Sequence, residues 1–279
     1  MLCALVFSLA LATGSRASLL VGPHPTARAT VDVPGLWLNE STVDVYYPSD
    51  VPAAAAGTQR FVAFAHGAGG GLAVEPYVYH SLLHGLASWG FVVAAPRACL
   101  DGECLHTYYE QPLAVIDYAR ERAAAGDAIF GLAGFARGAG LAGHSMGGEA
   151  TLLGSERARA AAHGVGAAVM LHAYTRETGP PAVPFLAFTG TTDATASMAM
   201  SEGFYDAAAA SLPRGLVEKV NATHQVGRER SLPPQNVPSL NVTHQEPSDW
   251  KDRVGEPYNP LLPQCVAART AGALADEKL

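Results

Sequence analysis

Cysteine is scarce in this 279-residue chain. Its four cysteines, Cys3, Cys99, Cys104 and Cys265, form no C-x-x-C pair and no Cys/His cluster with zinc spacing. No structural metal site is expected, and 279 residues are enough to bury a full core without covalent staples. Positive charge is short as well. Eighteen Lys and Arg stand against 25 Asp and Glu, a net charge of -7, which offers no basic surface for nucleic acid. Long apolar runs are missing beyond the first dozen residues, because Arg137 interrupts the most hydrophobic later stretch, and no membrane span is expected there. The glycine run Gly69-Gly70-Gly71 lacks the lysine that a phosphate-cradling loop needs at its end. Nucleotide binding is a poor rival to other readings, and no cofactor is expected.

What is present begins with Met1-Leu2-Cys3-Ala4-Leu5-Val6-Phe7-Ser8-Leu9-Ala10-Leu11-Ala12, an apolar run too short to span a bilayer and followed by small residues. Residues 1–17 are expected to be a secretory signal peptide, with an uncleaved anchor or a plastid-directed leader as the alternative, since no Lys or Arg precedes the run. Sequons at Asn39, Asn221 and Asn241 agree with the secretory route. The C-terminal Asp276-Glu277-Lys278-Leu279 permutes the retention signal without being it. Residues 18–279 are expected to form a single domain.

Along that domain, Ala29–Val33 and Thr42–Tyr47 alternate as antiparallel strands. Arg60–Ala65 and Phe91–Ala95 are continuous apolar runs, as strands covered on both faces should be. Helix patterns cover Pro76–Trp89 and Thr107–Ala125, and another runs from the glycine-rich turn near Ser145 to about Ala162. Gly166–Leu171, Val183–Phe188 and Leu216–Val220 read as further strands, with a helix from about Ser197 to Ala210 between the last two. This βαβ alternation predicts an α/β fold, a mostly parallel central sheet with helices on both faces. Asn221-Ala222-Thr223-His224-Gln225 recurs as Asn241-Val242-Thr243-His244-Gln245 across a proline-rich link, so residues 226–245 read as an inserted surface loop. Pro260 to Leu279 is alanine-rich and could close the domain as a helix.

Chemistry concentrates at Gly143-His144-Ser145-Met146-Gly147, a G-x-S-x-G between an apolar strand pattern and a helix pattern. Such a junction is the nucleophile elbow of the α/β-hydrolases, where a sharp turn lifts the serine oxygen off the sheet. Acyl transfer by serine needs a base, an acid to orient it, and N–H donors for the oxyanion. In this order of elements the acid and then the base follow the serine, each at a strand's C-terminal end. Asp193 after Val183–Phe188 and His224 after Leu216–Val220 meet that rule. His244 shares the same five-residue setting and competes for the base; the proline-broken stretch before it favours His224. Met146 and Ala68 are the candidate oxyanion donors, one following the nucleophile and one in the loop after Arg60–Ala65. His66 and His144 are expected to shape the pocket by hydrogen bonding. Cys99 and Cys104 could close a short loop in an oxidising compartment or remain free thiols.

With those residues in place the chain, from about Val43 to Cys265, resembles the chlorophyllase and polyester-hydrolase (cutinase-like) branch of the α/β-hydrolases. The likeness rests on Ala65-His66-Gly67-Ala68-Gly69-Gly70, Trp89-Gly90-Phe91-Val92-Val93, Gly143–Gly148 and Pro184–Asp193. It implies a cofactor-free serine hydrolase of carboxylic esters acting through Ser145, Asp193 and His224; a small, lipid or polymeric ester substrate, a secreted protein and a monomer are expected. It also implies a substrate wall at Tyr174, and Met146 matches the polyester hydrolases. Relatives tend to carry Glu-Pro right after the histidine; here Glu246-Pro247 stand next to His244 and Gln245. The alternatives are a chlorophyllase-like enzyme acting on a pigment or lipid, and a hydrolase fold that has lost activity and serves in binding. The intact set of three residues disfavours the last.

Overall fold

A computed structural model of the chain describes residues 22–36, 41–68, 79–97, 107–175, 179–220, 222, 224 and 269–271. The leader 1–17, the sequons Asn39, Asn221 and Asn241, all four cysteines, the loop 226–245 and His244 lie outside them.

One nine-stranded sheet carries the described chain, in the order β1-β2-β4-β3-β5-β6-β7-β8-β9. β1 (Thr26–Asp32) and β2 (Thr42–Pro48) pair antiparallel, and β2 pairs antiparallel with β4 (Phe91–Pro96). From β4 onward the pairing is parallel through β3 (Arg60–Ala65), β5 (Ala139–His144), β6 (Val165–Leu171), β7 (Phe185–Gly190) and β8 (Arg214–Lys219). A short β9 (Arg269–Ala271) closes the far edge antiparallel to β8. The parallel strands have no solvent face, so their residues are apolar in runs rather than in alternation. β4, for example, is buried at every position after Phe91.

Successive residues of β4 serve two different cores. Val92 and Ala94 belong to a large cluster with Leu113, Ile116 and Ala119 of α2 (Glu110–Ala124), while Val93 and Ala95 join Phe64, Leu83 and Ala87 around α1 (His80–Ser88). Helices therefore cover both faces. Phe204 of α5 (Met198–Ala207) packs against Phe185 of β7, with ring centroids 6.1 Å apart. None of the described helices is long and apolar enough to cross a membrane.

Two expectations are corrected. The helix expected from Ser145 to about Ala162 is two helices, α3 (Met146–Gly154) and α4 (Arg157–His163), because Glu156 is extended (φ -62°, ψ 150°). A returning loop holds that break. Ala182 N–H donates to Ser155 O at 2.9 Å and Gly179 N–H to Glu156 Oε1 at 3.2 Å. In the expected closing helix, the described Arg269–Ala271 are a strand instead, drawn into the sheet by the open edge of β8.

Because the order reverses around β3, with β4 on one side and β5 on the other, the carboxyl ends of the strands open a crevice there. At the opposite flank a buried charge secures the antiparallel edge. Asp44 of β2 is 1 % exposed and accepts from Arg97 Nε and Nη2 at 2.8 and 2.9 Å, from Arg28 Nε at 3.1 Å and from Thr30 Oγ1 at 3.0 Å. Asp44→Ala strips four donor groups of their acceptor and is expected to lower unfolding stability by about 2 kcal/mol. Chemical denaturation of the purified variant checks this; an unchanged midpoint would show that the cluster contributes only shape.

Candidate active site

Ser145 follows β5 directly and caps α3. Its backbone sits at φ 57°, ψ -117°, a region sparsely populated for residues other than glycine. Hydrogen bonds on both sides hold it there. Ser145 N–H donates to Leu171 O of β6 at 3.0 Å, and Ser145 O accepts from the N–H groups of Glu149 and Tyr174, each at 3.0 Å. The flanking glycines serve a different end. A Cβ on Gly143 would lie 2.1 Å from Gly147 O, and one on Gly147 would lie 2.0 Å from Ala65 O. The motif thus needs glycine where helix and strands touch, while the strained dihedral belongs to the serine itself.

Strand ends bring the partners in. Asp193 lies three residues past β7 and His224 five past β8. Asp193 Oδ2 is 2.9 Å from His224 Nδ1, and His224 Nε2 is 2.7 Å from Ser145 Oγ. A carboxylate only accepts, so Nδ1 carries the imidazole proton, leaving Nε2 to accept the Ser145 hydroxyl. Ser145, Asp193 and His224 are 8 %, 6 % and 9 % exposed, so the line is nearly dry yet reachable at the histidine and serine.

Asp193 is held on all sides. Its Oδ1 accepts the N–H groups of Thr195 and Ala196 at 2.9 and 2.8 Å, and its Oδ2 accepts a second imidazole, His172 Nδ1, at 2.8 Å. Burial pushes its pKa up, but the hydrogen bonds from His172, His224 and Ala196, with the nearby His224, outweigh burial and hold the carboxyl well below the usual range. It is therefore ionised at neutral pH. His172, Asp193 and His224 also place one ligand atom each within 4.8 Å of one another, a possible grip on a metal ion. The N···O separations of 2.8 and 2.9 Å suit shared protons; ligands of a tetrahedral zinc stand about 3.3 Å apart.

His144 and His66 are buried in the walls. His224 O can only accept, so His144 Nε2–H donates to it at 2.8 Å. In the neutral ring Nδ1 then accepts from Tyr79 Oη at 2.9 Å, and Tyr79 Oη accepts Gly67 N–H at 3.0 Å. One relay thus links the loop after β3, helix α1's entrance and the loop carrying His224. His66 Nδ1 bonds its neighbour Gly67 O at 2.9 Å, and His66 N–H donates to Tyr108 Oη at 3.1 Å.

The remaining candidates cluster at the same strand ends. Met146 opens α3, placing its N–H at the positive end of the helix dipole. Ala68 is exposed in the turn one residue beyond Gly67, whose own Cβ position would be 3.2 Å from Ser145 Cβ. Tyr174 is half-buried and hydrogen-bonded through its N–H to Ser145 O. His172 and Tyr79 were not foreseen. A histidine one residue past an apolar strand was a usable signal for the first; a tyrosine within a helix pattern gave none for the second.

A carboxyl with a lowered folded pKa stabilises fully above its unfolded value near 4 and loses that contribution as pH falls through the folded one. The melting-temperature gap between wild type and Asp193→Asn is therefore expected to shrink as pH drops below about 4. Thermal scans of both proteins from neutral pH to pH 2.5 check it, and a gap constant across the range would contradict the hydrogen-bonded carboxylate.

No protein-family model and no curated protein matches the chain, so the site is read from its own geometry.

Proposed function

We propose that this protein is a serine hydrolase of carboxylic esters built on an α/β-hydrolase fold. The observation that carries the proposal is the unbroken hydrogen-bonded line from Asp193 through His224 to Ser145, set beyond the carboxyl ends of β7, β8 and β5 in the parallel part of the sheet. Strand order, the strained serine between strand and helix, and the sequence order serine, acid, histidine all support the fold reading.

In the proposed reaction, Ser145 Oγ attacks the ester carbonyl carbon as its proton passes to His224 Nε2. Ionised Asp193 stabilises the resulting imidazolium through Nδ1–H. The carbonyl oxygen gains negative charge and is met by the N–H groups of Met146 and Ala68. His224 then returns the proton to the departing alkoxide oxygen, and the C–O bond to the alcohol breaks. Water, deprotonated by His224, attacks the acyl-Ser145 ester, and collapse releases the acid and restores Ser145. Tyr174 forms part of the acyl or alcohol wall. A small, lipid or polymeric ester is the substrate class, and the reaction needs no cofactor.

Three variants test this on a series of p-nitrophenyl esters of increasing chain length. Ser145→Ala is expected to lower turnover about 10⁴-fold or more with an unchanged fold by circular dichroism. His224→Ala should cost about 10³-fold and His244→Ala little. Wild-type turnover in Ser145→Ala would overturn the enzyme reading. Loss in His244→Ala with none in His224→Ala would move the base to His244.

A further inference from the structure

Among the described residues, only Ser145 and His172 are non-glycine residues with positive φ. They stand at the ends of neighbouring strands, Ser145 after β5 and His172 (φ 47°) after β6. A left-handed dihedral at histidine costs about 1–2 kcal/mol unless the surroundings fix it. Here His172 N–H donates to Phe188 O of β7 at 2.8 Å, and the side chain, 3 % exposed, donates from Nδ1 to Asp193 Oδ2. The turn thus swings the imidazole sideways from β6 to the acid that follows β7.

The ester-hydrolase mechanism leaves His172 without a task, since proton transfer runs from Ser145 through His224 alone. Yet His172 supplies one of four donors on Asp193, two on each oxygen, which fill the lone pairs a carboxylate offers. The backbone pair fixes Oδ1. His172 and His224 meet at Oδ2. The titratable groups facing this spot are His224 from the loop after β8 and His144 from the end of β5, with ring centroids each 6.2 Å from His172.

We propose that His172 is a positioning residue for the acid: it holds Asp193 Oδ2 in line with His224 and shares its negative charge. The inference rests on the ester-hydrolase reading of the site. A carboxylate held by three donors instead of four can swing from the imidazole, and displacement of about 1 Å costs up to about 10²-fold in rate.

Two donor-free variants and one donor-bearing variant separate this from a packing role. His172→Phe keeps a ring, His172→Gly fits the left-handed backbone without strain, and His172→Asn tolerates that backbone and can donate from Nδ2. With p-nitrophenyl ester turnover as readout, Phe and Gly variants are expected to lose about 10- to 100-fold in kcat with KM within about threefold. The Asn variant should recover to within about fivefold of wild type. Wild-type kcat in the Gly variant, or an Asn variant as slow as Gly, would overturn the proposal. So would loss of wild-type rate on chelation restored by a divalent metal, since His172 would then be a ligand. Ser145→Ala measured alongside keeps the two levels apart: wild-type activity in that variant overturns the ester-hydrolase reading, and a dead variant beside normal His172 variants overturns only the role of His172.

Discussion

The strained backbone of Ser145 is the constraint on which the site depends. At φ 57°, ψ -117° the residue would relax if free, and such strain costs about 1–3 kcal/mol. It is held because its N–H is tied to β6 and its carbonyl to Glu149 of α3 and to Tyr174. Those ties require helix α3 to lie hard against β3 and β5, which is why Gly143 and Gly147 cannot carry a side chain. The same contact aims the hydroxyl away from the sheet, toward the crevice where the other parallel strands end.

Around that point the polar groups are paired in series. The relay from Gly67 through Tyr79 and His144 ends on the carbonyl of His224, so the residue whose imidazole faces Ser145 is also pinned by its backbone. Asp193 is pinned by two amides and two imidazoles. A site assembled from loops thereby gains a fixed geometry, because each loop is tied to a strand end or to another loop. Such preorganisation is what the proposed acyl transfer would require, since the interactions must be aimed at charge before it develops.

Much of this could be read from residue order. Arg60–Ala65 is a strand at its expected limits because a strand buried on both faces announces itself as an uninterrupted apolar run. Asp193 and His224 stand out because each follows a strand pattern within five residues. The break at Glu156 could not be seen, because it is fixed by a loop that returns from more than twenty residues later. His172 escaped notice for a related reason: its place after β6 is visible in the sequence, but its left-handed backbone and its reach to Asp193 are products of sheet register. The tie between Tyr79 and His144 spans 65 residues and carries no local signature.

The most direct measurement is covalent labelling of the wild-type protein with a fluorophosphonate, followed by intact-mass determination and peptide mapping. Such reagents form a stable bond only with a serine whose proton is drawn off by a base. The account predicts one adduct per chain, on Ser145, lost when His224 is replaced by alanine. No adduct, or an adduct on another residue, would contradict it.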